Sequence, residues 1–168
     1  MKKGVILKAV EPEDVDFMME CESDREASKW SDYRAPFSRR MLMDYAVTYD
    51  ADPFAAGQLR LIACDPDGRK VGIGDLYGIS EKDARAETGI YIHPAFRNNG
   101  FGEATLEALV EFCRNRLGLY QLTAKISTEN TAALNLFRKS GFKEIAILPS
   151  WHKIGKCLHD ITLFTFPL

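Results

Sequence analysis

The segment His93-Pro94-Ala95-Phe96-Arg97-Asn98-Asn99-Gly100-Phe101-Gly102-Glu103-Ala104 carries the most specific chemical signal in the chain. A strand end, a loop with two glycines and a strongly periodic helix follow one another there, and such a loop is an anion cradle. Glycines let backbone N–H groups turn toward a ligand without side-chain obstruction, and the positive end of the helix dipole adds to the attraction for a pyrophosphate. Two nucleotide motifs are excluded. A triphosphate P-loop needs Gly-Lys-Ser/Thr, whereas Gly102 is followed by Glu103 and Ala104. A dinucleotide fingerprint needs a third glycine where Thr105 stands, within repeated βαβ units.

The elements that must position this loop follow from pattern. Residues 5–10 read as a first strand and Glu11-Pro12-Glu13-Asp14 as a helix start, with Val15, Phe17, Met18 and Met19 on the apolar side. Ser38 is the expected N-cap of a second helix carrying Met41, Leu42, Tyr45 and Ala46. Residues 50–58 read as a loop, and strands 59–64 and 70–79 form an antiparallel pair about Asp65-Pro66-Asp67-Gly68. A strand over 86–93 ends at Pro94. The clearest helix spans 102–117, where Leu106, Leu109, Val110, Cys113 and Leu117 share one face before Gly118. Strand 121–126, a helix opened by Thr128-Glu129-Asn130 and ended by Gly141, and strands 142–148 and 157–166 complete the order. The expected fold is α+β: one domain over residues 1–168, with a mixed, largely antiparallel sheet of about seven strands flanked by about four helices.

Composition narrows the function. At 168 residues, 46% hydrophobic and 27% charged, the chain can bury one core without disulfide or metal staples. Cys21, Cys64, Cys113 and Cys157 are scattered, with no CxxC pair, so neither a metal site nor a disulfide framework is expected. No apolar run approaches ~18 residues and the first residues lack a secretory pattern, so a cytoplasmic protein that spans no membrane is expected. A net charge of −2 gives no basic field for nucleic acid. Residues 11–52 hold 12 acids and 5 bases, so an acidic N-terminal quarter faces a basic remainder, a polarity suited to a cationic substrate on one side and an anionic cofactor on the other.

Arg97-Asn98-Asn99-Gly100-Phe101-Gly102 resembles the R/Q-x-x-G-x-G/A pyrophosphate loop of the GNAT superfamily of acyl-CoA-dependent N-acyltransferases. Downstream, the segment from Asn130 through Ala133 and Phe137 to Gly141-Phe142 resembles that family's N-x-x-A-x-x-x-Y-x-x-x-G-F helix. The Glu11 start, Arg85-Ala86-Glu87 and the hairpin Trp151-His152-Lys153-Ile154-Gly155 most resemble the ribosomal-protein and spermidine N-acetyltransferase branch. The resemblance implies an N-acetyltransferase that uses acetyl-CoA and no metal, acting by direct attack in a ternary complex. It implies that the backbone at Arg97, Asn98, Asn99, Gly100, Phe101, Gly102 and Glu103 holds the pyrophosphate. Ile90, Tyr91 and Ile92 would pair with the pantetheine arm along an edge opened where the fourth and fifth strands part, with an N–H near Ile92 facing the thioester carbonyl. Asn130, Phe137 and Lys139 complete that set, Asn130 alternatively serving only as a helix cap.

An amine acceptor arrives as ammonium and must lose a proton before attack. Glu87 is the first candidate base, with pairing to Arg85 or a lysine as its ordinary alternative; Asp32 is the second, and His93 is better explained by packing at the loop entrance. The family's proton-donating tyrosine is replaced by Phe137, leaving Tyr91, Ser140, a water or unassisted departure of the thiolate. Trp30, Asp32, Tyr33, Tyr45 and Trp151 are candidates for an acceptor pocket, since aromatics with carboxylates suit an aliphatic ammonium such as a polyamine or a peptide N-terminus. A catalytically weak or inactive acyl-CoA sensor is the rival reading. The apolar run 161–166 would be a sticky edge if bare, which points to a homodimer, or else an interior strand.

Overall fold

The computed structural model describes residues 3–30, 35–49 and 52–168. Strands β1 (Ile6–Ala9), β2 (Gln58–Cys64), β3 (Lys70–Ser80), β4 (Arg85–Ile92), β5 (Gln121–Ser127), β6 (Lys143–Ile154) and β7 (Cys157–Pro167) form one sheet in the order β1-β2-β3-β4-β5-β7-β6. Every neighbouring pair is antiparallel except β4 and β5, which are joined through helix α5 (Phe101–Asn115) and run parallel. The hairpin of β2 and β3, the long helix and the order of the elements agree with the sequence pattern.

The remaining helices are α1 (Val15–Glu22), α2 (Arg25–Ser28), α3 (Arg39–Thr48), α4 (Pro53–Ala56) and α6 (Thr131–Lys139). The four longer ones, α1, α3, α5 and α6, are those that the apolar spacing predicts. Ser38 and Asn130 cap α3 and α6 as their types require: Met41 N–H donates to Ser38 Oγ at 3.1 Å and Ala133 N–H to Asn130 Oδ1 at 3.1 Å.

Three expectations need correction. Residues 11–14 do not begin an α-helix directly; Pro12–Asp14 form a 3₁₀ turn closed by Glu11 N–H donating to Asp14 Oδ2 at 2.8 Å. The expected loop over 50–58 holds α4, because Asp52 Oδ1 accepts from Phe54 N–H at 3.1 Å and Gly57 stops the turn at φ 67°. The apolar run 161–166 is not an edge: β7 lies between β5 and β6, and Phe164 is fully buried. The outer edge on that side is β6, where Ile145 and Ile147 are exposed.

Helices α5 and α6 cover one face of the sheet through Leu106, Leu109, Cys113, Leu134 and Phe137. Helices α1 and α3 cover the other over β2 and β3, packing Val15, Met18 and Leu42 on Ile62 and Ile73. Ion pairs fasten this second layer: Asp14 to Lys70 at 2.6 Å, Glu22 to Arg60 at 2.9 Å and Asp24 to Arg97. Three carboxylates of the acidic quarter thus dock its helices on cations of the sheet and of the loop after β4.

Asp65 sets the β2–β3 turn. Its carboxylate is almost fully buried and accepts from Asp67 N–H at 3.1 Å, Arg69 N–H at 2.9 Å and Arg69 Nε at 2.7 Å. Burial alone would raise its pKa, but the Arg69 backbone and guanidinium outweigh that and hold it below the usual carboxylate range. The stabilisation is complete above the unfolded-state value of about 3.9 and is lost as the pH falls through the lower folded value. Asp65→Ala is expected to cost ~1–3 kcal/mol in urea unfolding at pH 7. The difference from the parent should shrink as the medium is acidified below about pH 4.

Candidate active site

The site begins where β4 and β5 part. They pair only through Arg85, Ala86 and Glu87 with Gln121, Leu122 and Thr123. Past that point β4 stays on β3 as far as Ile92 opposite Gly72, and β5 stays on β7 as far as Ser127 opposite Ile161. A wedge-shaped gap opens between two strands that are each held from behind. His93 N–H donates to Val71 O at 2.9 Å, which fixes the alternation: Tyr91 and Gly89 bond to β3, while Ile90 turns its backbone polar groups and Ile92 its N–H into the gap, the Ile92 carbonyl accepting from Arg97 Nε at 2.9 Å. Of the three strand residues expected to meet a pantetheine arm, Ile90 and Ile92 present backbone and Tyr91 does not.

At the wide end lies the loop. His93 caps a 3₁₀ turn, Pro94–Phe96, with Ala95 N–H donating to its Nδ1 at 3.3 Å, and its ring stacks on Phe17 at 6.0 Å, a packing role. Asn98 takes φ 59°, Asn99 Nδ2 donates to Arg97 O at 2.9 Å, and Gly100 caps α5 at φ 83°, a conformation that disfavours any side chain. The first-turn N–H groups at Phe101, Gly102 and Glu103 have no carbonyl of their own helix to bond, so they are donors for an anion. The ring of Phe101 is buried with Ala63 and Val71, leaving its backbone to face the loop. Gly102 has a packing reason beside the one expected. A Cβ there would stand 3.0 Å from Leu136 Cδ2, so this glycine lets α5 and α6 approach each other.

Two cations border the mouth. Lys139 pairs with Glu103 at 2.8 Å, offsetting a carboxylate that would oppose a phosphate. Lys3, which the sequence pattern does not single out, sets its Nζ 5.2 Å from the Phe101 ring centroid and its chain beside Gly100. The gap, its unpaired strand edge and the loop donors fit the amide-rich arm and pyrophosphate of acetyl-CoA. Phe137 does not join them: it is 3% exposed, wrapped by Phe142 at 4.9 Å and Phe164 at 6.0 Å, and belongs to the core.

Across the sheet, on the face of α1 and α3, Gln58, Tyr77, Glu87 and Thr123 lie in one row, and Arg60, Asp75 and Gly89 in the next. Glu87 Oε2 accepts from Lys125 Nζ at 2.6 Å at the last paired rung before the gap, the pairing with a lysine that is its ordinary alternative to a base role. A cavity of about 210 Å³ lies between α3 and these strands, bordered by Met41, Tyr45, Arg60, Asp75 and Tyr77. Arg60 bonds Asp75 through Nε at 2.8 Å and Nη2 at 2.9 Å and Glu22 through Nη1 at 2.9 Å, while Tyr77 OH donates to Asp75 at 3.0 Å. One guanidinium thus answers two carboxylates. Burial first, then Tyr49, pushes the Tyr45 hydroxyl up to about 12, so it stays protonated.

Trp30 is partly exposed near the end of α2, and Trp151 is exposed on β6. Asp32 and Tyr33 lie outside the described residues. Tyr91 OH donates to Asp24 at 3.0 Å and is raised foremost by burial, then by that bond, so it is no proton donor toward the gap. Burial pushes the thiols of Cys21 and Cys113 up to about 12 and raises Cys64 as well; Cys157 is exposed. Among the described residues no helix is long and apolar enough to cross a membrane, and no cluster of three or more His, Cys, Asp or Glu is placed to hold a metal ion.

A mixed sheet parted beside a glycine-capped helix defines an acyl-CoA transferase fold. The chain matches the model of the acetyltransferase (GNAT) domain over residues 5–143, and it belongs to that family of N-acetyltransferases. It is 24% identical over 139 residues to spermidine N(1)-acetyltransferase of Escherichia coli K12, covering 83% of this chain and 73% of that one. It is 30% identical over 112 residues to an L-methionine sulfoximine/L-methionine sulfone acetyltransferase of Pseudomonas aeruginosa PAO1, covering 64% of each. The crystal structure of Vibrio cholerae spermidine N-acetyltransferase with CoA and spermine superposes with a TM-score of 0.87 at 20% identity, over 97% of this chain and 95% of that one.

Gly100→Val places a β-branched residue at positive φ in the loop and is expected to weaken CoA binding, measured by calorimetry, at least tenfold, about 1.4 kcal/mol. Gly102→Ala presses on the Leu136 side chain but gains about 1 kcal/mol of helix propensity, so its folding stability in urea is expected to stay within about 1 kcal/mol of the parent, whereas the larger Gly102→Val should be clearly less stable.

Proposed function

We propose that this N-acetyltransferase takes its acetyl group from acetyl-CoA and delivers it to a primary amine on a cationic, extended acceptor, of which a polyamine is the type. The observation that carries this reading is the acceptor-side cavity, where Tyr45, Tyr77 and Met41 surround a guanidinium already saturated by Asp75 and Glu22. A pocket for an amino-acid zwitterion would need a cation free to take the carboxylate; here Arg60 is committed to Asp75 and Glu22, and the Tyr45 and Tyr77 rings suit an ammonium. The similarity to a spermidine acetyltransferase supports the same choice.

Acetyl-CoA supplies an activated thioester. The backbone N–H groups of the loop from Asn98 to Glu103 and the side chains of Lys3 and Lys139 would hold its phosphates, Arg97 N–H being given to Pro94 O at 3.3 Å, and Ile90, Ile92 and Asn130 would hold its arm. Ile92 N–H offers a donor for the negative charge that develops during transfer, a contribution of ~3 kcal/mol. Glu87, on the acceptor face beside the gap, takes the proton from the incoming ammonium directly or through water, and Lys125 steadies its carboxylate. Phe137 can donate no proton, so the thiolate leaves toward water; a thiol pKa of about 8.5 makes this tolerable. Attack is direct, because the buried thiols are protonated and none faces the gap. A homodimer would form across the exposed edge of β6, which carries Ile145 and Ile147.

Incubation with acetyl-CoA and separate samples of spermidine, spermine, an N-terminal peptide and methionine sulfone, following free thiol, tests the reading. Thiol release is expected with the polyamines foremost. Tight acetyl-CoA binding without release for any amine would favour a sensor instead. Glu87→Gln should lower kcat by roughly 10²–10⁴-fold while leaving CoA affinity near the parent value.

A further inference from the structure

Arg97 opens the pyrophosphate loop, yet its side chain does not face it. Arg97 Nε donates to Ile92 O at 2.9 Å, Nη2 bonds Asp24 Oδ2, and the guanidinium lies 5.5 Å from the Tyr91 ring centroid. Tyr91 OH donates to the same Asp24 oxygen at 3.0 Å, and the other oxygen caps α2, accepting from Glu26 N–H at 2.9 Å and Ala27 N–H at 3.4 Å. The Asp24 side chain is only 10% exposed. One carboxylate therefore joins the turn between α1 and α2 to β4 and to the loop, across sequence separations of 67 and 73 residues.

We propose that Asp24 is a positioning residue that ties the acceptor-side helices to the strand and loop that hold the acetyl donor, and that Arg97 serves this tie rather than the phosphates. Tyr91 and the Ile92 carbonyl flank the Ile92 N–H in the chain, and both are held, directly or through Arg97, by Asp24. Where that N–H points in the gap thus depends on where α1 and α2 sit. A guanidinium with its fork already bonded to a carboxylate and a carbonyl must surrender both to reach a phosphate, and releasing a partly buried charge pair is costly. The loop's backbone donors and Lys3 meet the phosphates without that exchange, and Lys139 gives up only a solvent-exposed pair with Glu103.

The inference rests on the acetyl-CoA site described above, and its test separates the two. Asp24→Asn keeps an oxygen for the α2 cap but cannot answer the Arg97 charge. In the free protein, hydrogen exchange at the amides of residues 91–99 should quicken about tenfold, a readout that needs no substrate. With acetyl-CoA and the best amine, Asp24→Asn and Arg97→Gln should each lower kcat/KM for the amine about tenfold or more, with KM for acetyl-CoA within about twofold. The double variant should be no worse than either single one, since both break the same contact. Arg97→Gln raising KM for acetyl-CoA tenfold while Asp24→Asn leaves both substrates and the exchange unchanged would overturn the proposal. Failure of the parent protein to bind acetyl-CoA would overturn the cofactor site, and the exchange measurement would still judge the tie.

Discussion

Parallel pairing between β4 and β5 that stops after three residues governs the molecule. Backbone N–H and C=O groups in a sheet are ordinarily consumed by the neighbouring strand, and leaving a row of them unpaired inside a fold is costly unless something else bonds them. Here the cost is confined to one wedge, because β4 is held to its end by β3 and β5 to its end by β7. The flanks do not yield, so the gap cannot close on itself, and a ligand rich in amides can complete the ladder. The loop at its wide end, the helix dipole behind that loop and the carboxylate at its narrow end take their meaning from this opening.

Electrostatics on the α1 and α3 face of the sheet follow from the way the second layer is fastened. Helix α1 and the turn after it reach the sheet through Asp14, Glu22 and Asp24, each bonded to a cation from a later part of the chain. Pairs of this kind are worth little when exposed and more when shielded, and Arg60, with 16% of its side chain exposed, is among the shielded ones. Its binding to two carboxylates from different elements fixes α1 against β2 and β3.

Local rules made much of this legible from the sequence. Ser38, Asn130 and the Asp65-Pro66-Asp67-Gly68 turn announce their elements because a cap or a turn is decided by residues within four positions of one another. The loop at Arg97 to Gly102 was legible for the same reason, together with its resemblance to a family motif. What the sequence concealed depends on distant partners. The placement of β7 inside β6, the row from Arg60 to Gly89, and the meeting of Asp24 with Tyr91 and Arg97 have no short-range signature. Gly102 was legible as a glycine but not for its cause, since Leu136 lies on another helix. An Asp followed by Arg-Glu-Ala-Ser is a readable cap signal, and reading it would have marked Asp24 as the start of α2.

The uneven burial of the four thiols makes the protein a ready subject for single-site labelling. Cys21, Cys64 and Cys113 are shielded by packing and held as unreactive thiols, whereas Cys157 stands in the open at the start of β7, beside the tip of the β6–β7 hairpin. A maleimide dye will therefore choose one position without any cysteine being removed. That position lies on the hairpin that carries the sheet's exposed edge, so fluorescence from a wild-type chain can report on whatever approaches it.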